Sequence, residues 1–561
     1  MLAKKTCTNE AIDCVNNLFD VIIIGAGLSG LYAANVLKEN GIQNYCILEA
    51  RDRIGGRLLT KKDPKVGYVD LGGSYVGPSQ LYVQSLIRKL NIPTYKISDV
   101  GGSRRKSVYL SENERSLHQA DRLPSLKNKL VEFEIKYMLA LLDRMSRELP
   151  RDKPWLHRKA LEWDRQTFRQ FLEKNCWTSE AKEFINIYIG CCTSCESYEQ
   201  SLLWALWYIR QCDGLETMYN VENAAQDSKM IGGSQQLCFG LKQLIGDEKI
   251  HLNRAVVECS VNSTRSIITL QTIDGSIYRS RLLIMAIPPV LIQKIHFKPS
   301  LPPVYQQMLQ KFTMGSAIKC IVYYTEAFWR NDSMLNGQML INCSNTDGPI
   351  TYTVDDTKPD GSYPAIVGFM IGDRARKMLQ KSKEERMRYV CQSFAFALNS
   401  EKALKPIHYE EKNWMSEQYT GGCFTAIGAP GFLTNYGPML SQPLWDCILP
   451  AGSETSTHWA GYMEGALQSG ERAALLALKK LGHERSVKRI RDESIPSLRF
   501  SSSNVDGSKI STITKLEKIN SESNSNKSHL LQSIIPSMHR LLTFSTIFVT
   551  LSSTIFMITL L

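Results

Sequence analysis

Between Asp20 and Arg57 the sequence sets glycines, an acid and arginines at the spacing of a dinucleotide site. Gly25, Gly27 and Gly30 form G-x-G-x-x-G directly behind the β-branched run Asp20–Ile24, and Glu49 closes the next apolar run. Each residue type has a physical reason. Gly25 allows a tight turn, Gly27 lets the backbone approach a diphosphate, and Gly30 lets a helix pack on a strand. The N-terminus of that helix receives the diphosphate, and Glu49 accepts hydrogen bonds from ribose hydroxyls. An acid there disfavours a 2′-phosphate and so NADP, which leaves NAD or FAD. A second loop follows at once, with Arg51, Arg53, Gly55, Gly56 and Arg57, and then Asp70-Leu-Gly72-Gly73-Ser74. A nicotinamide cofactor has no use for it, whereas a larger one must run its diphosphate and ring system past the first unit.

Other candidates are scattered. Lys319 sits between Ile318 and Cys320 in an apolar run, so its ammonium must find a polar place, by snorkelling, ion pairing or a functional role. Cys423 follows Gly421 and Gly422, a close, unhindered backbone for a thiol; a lone cysteine is more often a small buried hydrophobe. Cys192 and Cys195 have C-x-x-C spacing, but no second pair follows, so cavity lining is preferred to redox or zinc chemistry. The nine histidines show neither HxxxH nor HExxH, and no metal site is predicted.

The motif at Glu49, Arg53, Gly55, Gly56 and Arg57 resembles the FAD signature of the flavin-dependent amine oxidase family. The segment Trp414 to Phe424 is similar to the monoamine oxidase segment ending in Ser-Gly-Gly-Cys-Tyr, and Ala451 to Ala466 to that family's Gly-Thr-Glu-Thr and Gly-Tyr-Met-Glu-Gly-Ala stretch. The resemblance runs from about Asp20 to Gly482. It implies FAD as cofactor, bonded through the Cys423 sulfur to the flavin 8α-methyl group. It further implies cofactor contacts at Gly25, Gly27, Gly30, Glu49, Arg51, Gly55, Gly56, Arg57, Gly72, Gly73, Ser74, Val256 and Trp414, and again at Gly452, Ser453, Glu454, Gly461, Tyr462, Met463 and Ala466. Phe424 and Tyr462 take the places of two rings that face each other as a cage for the amine, with Phe424 departing from the usual tyrosine. Lys319 takes the place of a lysine that holds a water against flavin N5, where a positive charge would stabilise developing superoxide. Gln226, Tyr219, Tyr352 and Phe369 match positions that shape the substrate cavity.

The activity so implied is oxidative deamination of a primary aromatic or biogenic amine by O2, giving aldehyde, ammonia and hydrogen peroxide. A polyamine oxidase would need an acidic tunnel and an L-amino-acid oxidase an arginine for the carboxylate. A membrane-tethered scaffold with a degenerate flavin fold is the alternative from another class.

These residues must be held by elements. The run after Asp20, a helix to about Asn40 and a strand over Asn44–Glu49 make one βαβ unit. Helices are predicted over Lys127–Arg147, Trp163–Asn175, Tyr198–Gln211 and Ser382–Leu398, and β-rich segments over Ala255–Leu270, Arg281–Ile287 and Ser316–Tyr324. The fold class is α/β: a Rossmann-type FAD-binding domain with a mixed α+β substrate domain. The expected division is 15–97, 227–310 and 407–482 for the cofactor domain, and 98–226 and 311–406 for the substrate domain.

With 561 residues, 43% hydrophobic and 22% charged, a disordered or fibrous chain is excluded. Half of the +12 net charge lies between Lys479 and Leu561, where Lys and Arg outnumber Asp and Glu two to one. The remainder is ordinary, so a basic tail beside a membrane fits better than a nucleic-acid groove. Residues 483–538 read as a basic polar linker and 539–561 as a transmembrane anchor, since Leu541–Leu561 carries no charged side chain and is long enough to span. The N-terminus lacks a secretory signal and 15 irregularly spaced cysteines suit a reducing compartment. The body is therefore expected in the cytosol, tail-anchored to the mitochondrial outer membrane by resemblance, with the endoplasmic reticulum as the other possibility, and as a homodimer.

Overall fold

The β-branched run becomes the strand Leu18–Ile24, fully buried over Val21–Ile24. Stiff branched side chains on both faces suit a strand covered on both sides. The computed structural model describes residues 18–97, 105–112, 114–119, 122–262, 267–331, 334–342 and 348–483. The strand lies inside an eight-stranded sheet, parallel to Tyr45–Leu48 on one side and Ile277–Met285 on the other. Ile448–Pro450 adds in parallel to Ile277–Met285, while Ile267–Thr272 and Val256–Asn262 continue the sheet antiparallel. Ile24, Leu48, Met285 and Pro450 stand in register, so four strand ends share one edge. In open parallel sheets that edge is where ligands bind.

Helix Leu28–Glu39 covers one face and packs along Met463–Lys480, with the hydroxyls of Ser29 and Ser469 3.1 Å apart. The approach is close: a Cβ on Gly470 would lie 2.4 Å from the carbonyl oxygen of Ser29.

A second sheet of seven strands runs in the order His408–Asn413, Ala317–Tyr323, Ala365–Ile371, Tyr352–Asp355, Leu335–Asn342, Lys106–Ser111, Arg115–Gln119. Its pairs are antiparallel except Leu335–Asn342 with Lys106–Ser111. Alternation along Ala317–Tyr323 sorts the side chains. Ile318, Cys320 and Val322 pack with Phe394 of helix Lys383–Leu398, while Ile321 and Tyr323 join the cluster on the other face with Phe369 and Phe424. Lys319 shares the parity of the second set, which turns it away from the helix.

Two helices differ from expectation. Trp163–Asn175 is not continuous: Ala160–Arg165 ends before Thr167, which opens Phe168–Asn175 with a capping box in which Thr167 and Gln170 satisfy each other's backbone N–H. The helix expected from Tyr198 starts at Leu202, because the Ser201 hydroxyl accepts from Trp204 N–H. The segment Ala255–Leu270 is two strands, Val256–Asn262 and Ile267–Thr272. The predicted membrane helix, and the linker beyond His483, lie outside the described residues; among those described, no helix is long and apolar enough to cross a membrane.

Candidate active site

One cavity begins at the shared strand edge and reaches the face of the second sheet that carries Lys319. At the strand edge, Gly25 has φ +103°, and a Cβ there would sit 2.6 Å from Ala286 O. Gly30 does not line the cavity; it is the packing glycine, since a Cβ would fall 2.0 Å from Gly25 O. Gly27 is the opposite case. It lines the cavity, and a Cβ would meet nothing within 4 Å. The helix starts at Gly27 with no side-chain cap and no acid in its first turn, which leaves the positive end of its dipole to the cavity.

Glu49 also lines the cavity, and both its oxygens are used locally: Oε2 accepts from Ala26 N–H at 2.8 Å and Oε1 from Arg51 N–H at 3.0 Å. It therefore ties the two glycine loops together while each oxygen keeps a further lone pair. Arg51 donates to the Thr420 hydroxyl at 2.7 Å, lies over the Tyr419 ring, and keeps a buried Nε without a partner among the described residues.

Arg57 does something that spacing did not suggest. Its guanidinium binds Glu454 through two hydrogen bonds, reaches Ser453 Oγ at 3.2 Å, and donates to the carbonyl of Phe424 at 2.9 Å. Burial would push Glu454 up, but Arg57 holds its carboxyl below the usual range; burial likewise acts against the Arg57 charge, and Glu454 outweighs it. Glu454 lies outside the cavity lining and acts through this pair. Arg53 donates to Gly56 O at 3.2 Å and sits 3.6 Å from Glu417. Gly55, Gly56, Gly72, Gly73, Ser74, Val256 and Trp414 all line the cavity. Trp414 is fixed by donating Nε1–H to Leu71 O at 3.0 Å. Gly452, Ser453, Gly461, Met463 and Ala466 line the cavity as well.

At the other end the chemistry is aromatic. Phe424 packs edge-on to Phe369, 5.9 Å between centroids, and Tyr462 packs on Trp459 at 5.0 Å and Tyr208 at 6.4 Å. Both rings line the cavity and neither stacks on the other. The Ser194 hydroxyl holds the chain between Cys423 and Phe424: it accepts from Phe424 N–H at 2.6 Å and lies 2.7 Å from Cys423 O. Cys423 itself is buried, and burial pushes its thiol up to about 12 against the pull of Arg57 and Lys319. Left alone, such a thiol neither exchanges nor oxidises readily.

Lys319 lines the cavity and donates to Gly72 O at 2.9 Å and Ser74 Oγ at 2.8 Å. Burial lowers it to about 8, with Lys229 pushing in the same direction. Gln226 donates Nε2–H to Met218 O, while its buried Oε1 has no partner among the described residues. Tyr352 and Phe369 line the chamber beside it, and Cys191 and Cys192 face it from helix Ser179–Thr193. Tyr219 does not line the cavity; it stacks at 3.6 Å on Tyr188 and lies 6.2 Å from Tyr352, behind the wall. Tyr208 and Ser194 were not anticipated. Neither has a local pattern, since Tyr208 meets Tyr462 and Ser194 meets Cys423 only across the fold.

The residues fit a large dinucleotide. Gly27 leaves room for a diphosphate, the helix start has free donors, Glu49 has lone pairs for a ribose, and the arginine-rich loop leads to Cys423 and the aromatic chamber. This combination defines a cofactor-dependent oxidoreductase whose cofactor reaches from a nucleotide cradle into a substrate chamber. Residues 28–478 match the family model described as flavin containing amine oxidoreductase. The chain is 42% identical over 468 residues to flavin-containing amine oxidase B of Homo sapiens, covering 83% of this chain and 88% of that protein. It is 40% identical over 466 residues to the flavin-containing amine oxidase of Danio rerio, covering 83% and 87%. Among solved structures, cyclohexylamine oxidase from Brevibacterium oxydans superposes with a TM-score of 0.77 at 26% identity, covering 83% of this chain and all of that one. Wild-type putrescine oxidase bound to putrescine gives 0.75 at 28%, covering 82% and 98%. The chain belongs to the flavin-containing amine oxidase family and is an FAD-dependent enzyme that oxidises amines.

Proposed function

We propose that the protein deaminates small primary aromatic amines, RCH2NH2 + O2 + H2O giving RCHO + NH3 + H2O2, with FAD bonded through Cys423. One observation carries the choice of substrate. Glu49 is the only carboxylate lining the cavity among the described residues, and it belongs to the nucleotide end. A polyamine would present several ammonium groups to a chamber of aromatic rings, an amide and thiols, with no acid to receive them. An amino acid would need a free guanidinium, yet of the arginines lining the cavity Arg57 is committed to Glu454, Arg51 to Thr420 and Arg254 to Asp274 and the Tyr278 hydroxyl.

Gly25, Gly27 and the helix start would hold the diphosphate, Glu49 the ribose, and Cys423 the ring. Bound there, FAD supplies the two-electron acceptor that the protein lacks. The chain contributes position. Arg57 fixes Phe424, Trp459 and Tyr208 fix Tyr462, and an amine nitrogen held between the two ring faces is oriented without a titratable base beside it. Gln226 Oε1 is free to accept an N–H from that amine. Lys319 keeps a positive charge, held by Gly72 and Ser74, where electrons pass to O2. Tyr352, backed by Tyr219 and Tyr188, narrows the approach.

The same reading divides the chain into a cofactor domain (15–97, 227–310, 407–482) and a substrate domain (98–226, 311–406). It takes 539–561 as an anchor in the mitochondrial outer membrane and the enzyme as a homodimer facing the cytosol. The uncharged stretch Leu541–Leu561 and the basic residues before it support the anchor. A peroxide-coupled assay across primary aromatic and aliphatic amines, with spermine and amino acids as controls, tests the substrate. Turnover of spermine above that of phenylethylamine-like amines would contradict it. Fractionation of the full chain beside a chain lacking 539–561 tests the anchor, and also separates mitochondrial from endoplasmic-reticulum membranes.

A further inference from the structure

Behind the cavity wall, Lys319 is the near end of a row of buried charges. The ring of Tyr75, a cavity residue, has two ammonium groups beside it, Lys319 at 5.9 Å and Lys229 at 5.7 Å from its centroid. Lys229 is placed there by strand pairing, since it stands directly opposite Tyr75 between Tyr75–Val76 and Ser228–Met230. It pairs with Asp356 Oδ1, while Lys358 reaches the other oxygen at 3.4 Å and lies 4.4 Å from the Tyr68 ring centroid. Asp70 lies in the same region: its Oδ1 accepts from the Thr60 hydroxyl and Ser234 N–H, and its Oδ2 has no hydrogen-bond partner among the described residues. All five charged side chains are at most 4% exposed. Three buried cations against two carboxylates are a poor way to stabilise a core, because desolvation offsets most of what pairing gains. A row of this kind that ends at a cavity is a candidate for setting the charge there.

The geometry points to Asp356 and Lys229 as positioning residues for the oxygen half of the reaction: their paired charges, felt by Lys319 past the Tyr75 ring, set how firmly Lys319 keeps its own charge. The inference rests on the function proposed above. In that half-reaction two electrons and two protons leave the reduced cofactor for O2, giving hydrogen peroxide, and Lys319 lends charge without giving up a proton.

The groups facing Lys319 act in both directions. Burial depresses it first, to about 8, and Lys229 adds to that; the carboxylates of Asp70 and Asp356 oppose. On its own sheet it stands between Phe369 and Lys412, and Lys412 is engaged by Glu417 at 2.8 Å. The signs follow. Lys319 is charged below about 8, so kcat/KM for O2 falls as pH rises through that value. Asp356→Asn leaves Lys229 unopposed, weakens the Lys319 charge, and moves the fall to lower pH. Lys229→Gln removes a repelling cation while Asp356 keeps Lys358, and moves the fall to higher pH.

The experiment measures kcat/KM for O2 against pH, anaerobic reduction by amine, and absorbance of the oxidised flavin against pH, in holoenzyme. Displacements of about one pH unit in opposite directions are expected, with about a threefold lower kcat/KM for O2 at pH 7.5 in Asp356→Asn and a smaller change in the anaerobic step. The absorbance titration should move with the kinetic midpoint. Because a single change strands a buried charge, the double variant Asp356→Asn/Lys229→Gln is made as well, and its midpoint should return to within about half a unit of wild type. Midpoints that stay put, or move the same way in both single variants, overturn the inference. If Asp356→Asn does not fold, a Lys229→Gln midpoint that fails to rise overturns it alone. A wild-type enzyme inert to amines would sink the functional reading instead, and the absorbance titrations would still decide this one.

Discussion

The two ends of the cavity are built by different means. The nucleotide end is made of backbone: glycines at three turns, a helix start, and one acid that braces both loops within a single local stretch of the chain. The aromatic end is made of side chains, drawn from the strand with Lys319, the segment around Phe424 and the turn before Tyr462, and locked by contacts between segments far apart in sequence. A backbone site tolerates almost no change at its glycines, whereas a side-chain site grades its response to substitution.

That contrast can be broken most sharply within the glycine motif itself. Gly30→Ala should cost about 4 kcal/mol or more, because its Cβ would overlap Gly25 O, and thermal unfolding should show a large loss. Gly27→Ala should leave the unfolding temperature of the cofactor-free chain nearly unchanged yet weaken FAD retention, since its Cβ enters open cavity. Equal destabilisation by the two would erase the distinction between packing and binding glycines. At the aromatic end Glu454→Gln should cost about 2 kcal/mol, reduced from the value for a fully buried pair because Arg57 is a quarter exposed, and should slow amine turnover by loosening Phe424. Unaltered turnover would mean that Phe424 holds its place without Arg57. A milder effect is expected at Gln226→Leu, about fivefold in KM for amine with a smaller change in kcat, from losing one hydrogen-bond acceptor. Phe424→Tyr should have the smallest effect, within about threefold in kcat/KM, because the ring face remains and only a hydroxyl is added; a larger change would bring the hydroxyl's dipole into the account.

How much of this was legible follows the same division. The βαβ unit could be read because Gly25, Gly27, Gly30 and Glu49 act within one local motif, and the structure returns the helix at Leu28–Glu39 and the strand at Tyr45–Leu48. The break at Thr167 was hidden by helical periodicity running through it, although Thr167 and Gln170 carry the capping-box spacing. The Arg57–Glu454 pair could not be found by spacing, since the two stand at opposite ends of the matched region and only the fold brings them together. Tyr208 lies within the helix Leu202–Gln211 and Ser194 is the left-handed residue that ends the helix Ser179–Thr193, and their places beside Tyr462 and Cys423 come from tertiary packing. Tyr219 shows the reverse: resemblance put it at the cavity, and stacking on Tyr188 sets it one layer behind.

The claim on which both ends depend is that one flavin spans them and is tied down at residue 423. Proteolysis of purified full-length protein followed by mass spectrometry of the peptide carrying Cys423 measures this directly. The account predicts that peptide heavier by one FAD, with the yellow colour kept in the pellet after acid precipitation and both lost in Cys423→Ala. An unmodified Cys423 peptide from protein that oxidises amines would contradict it.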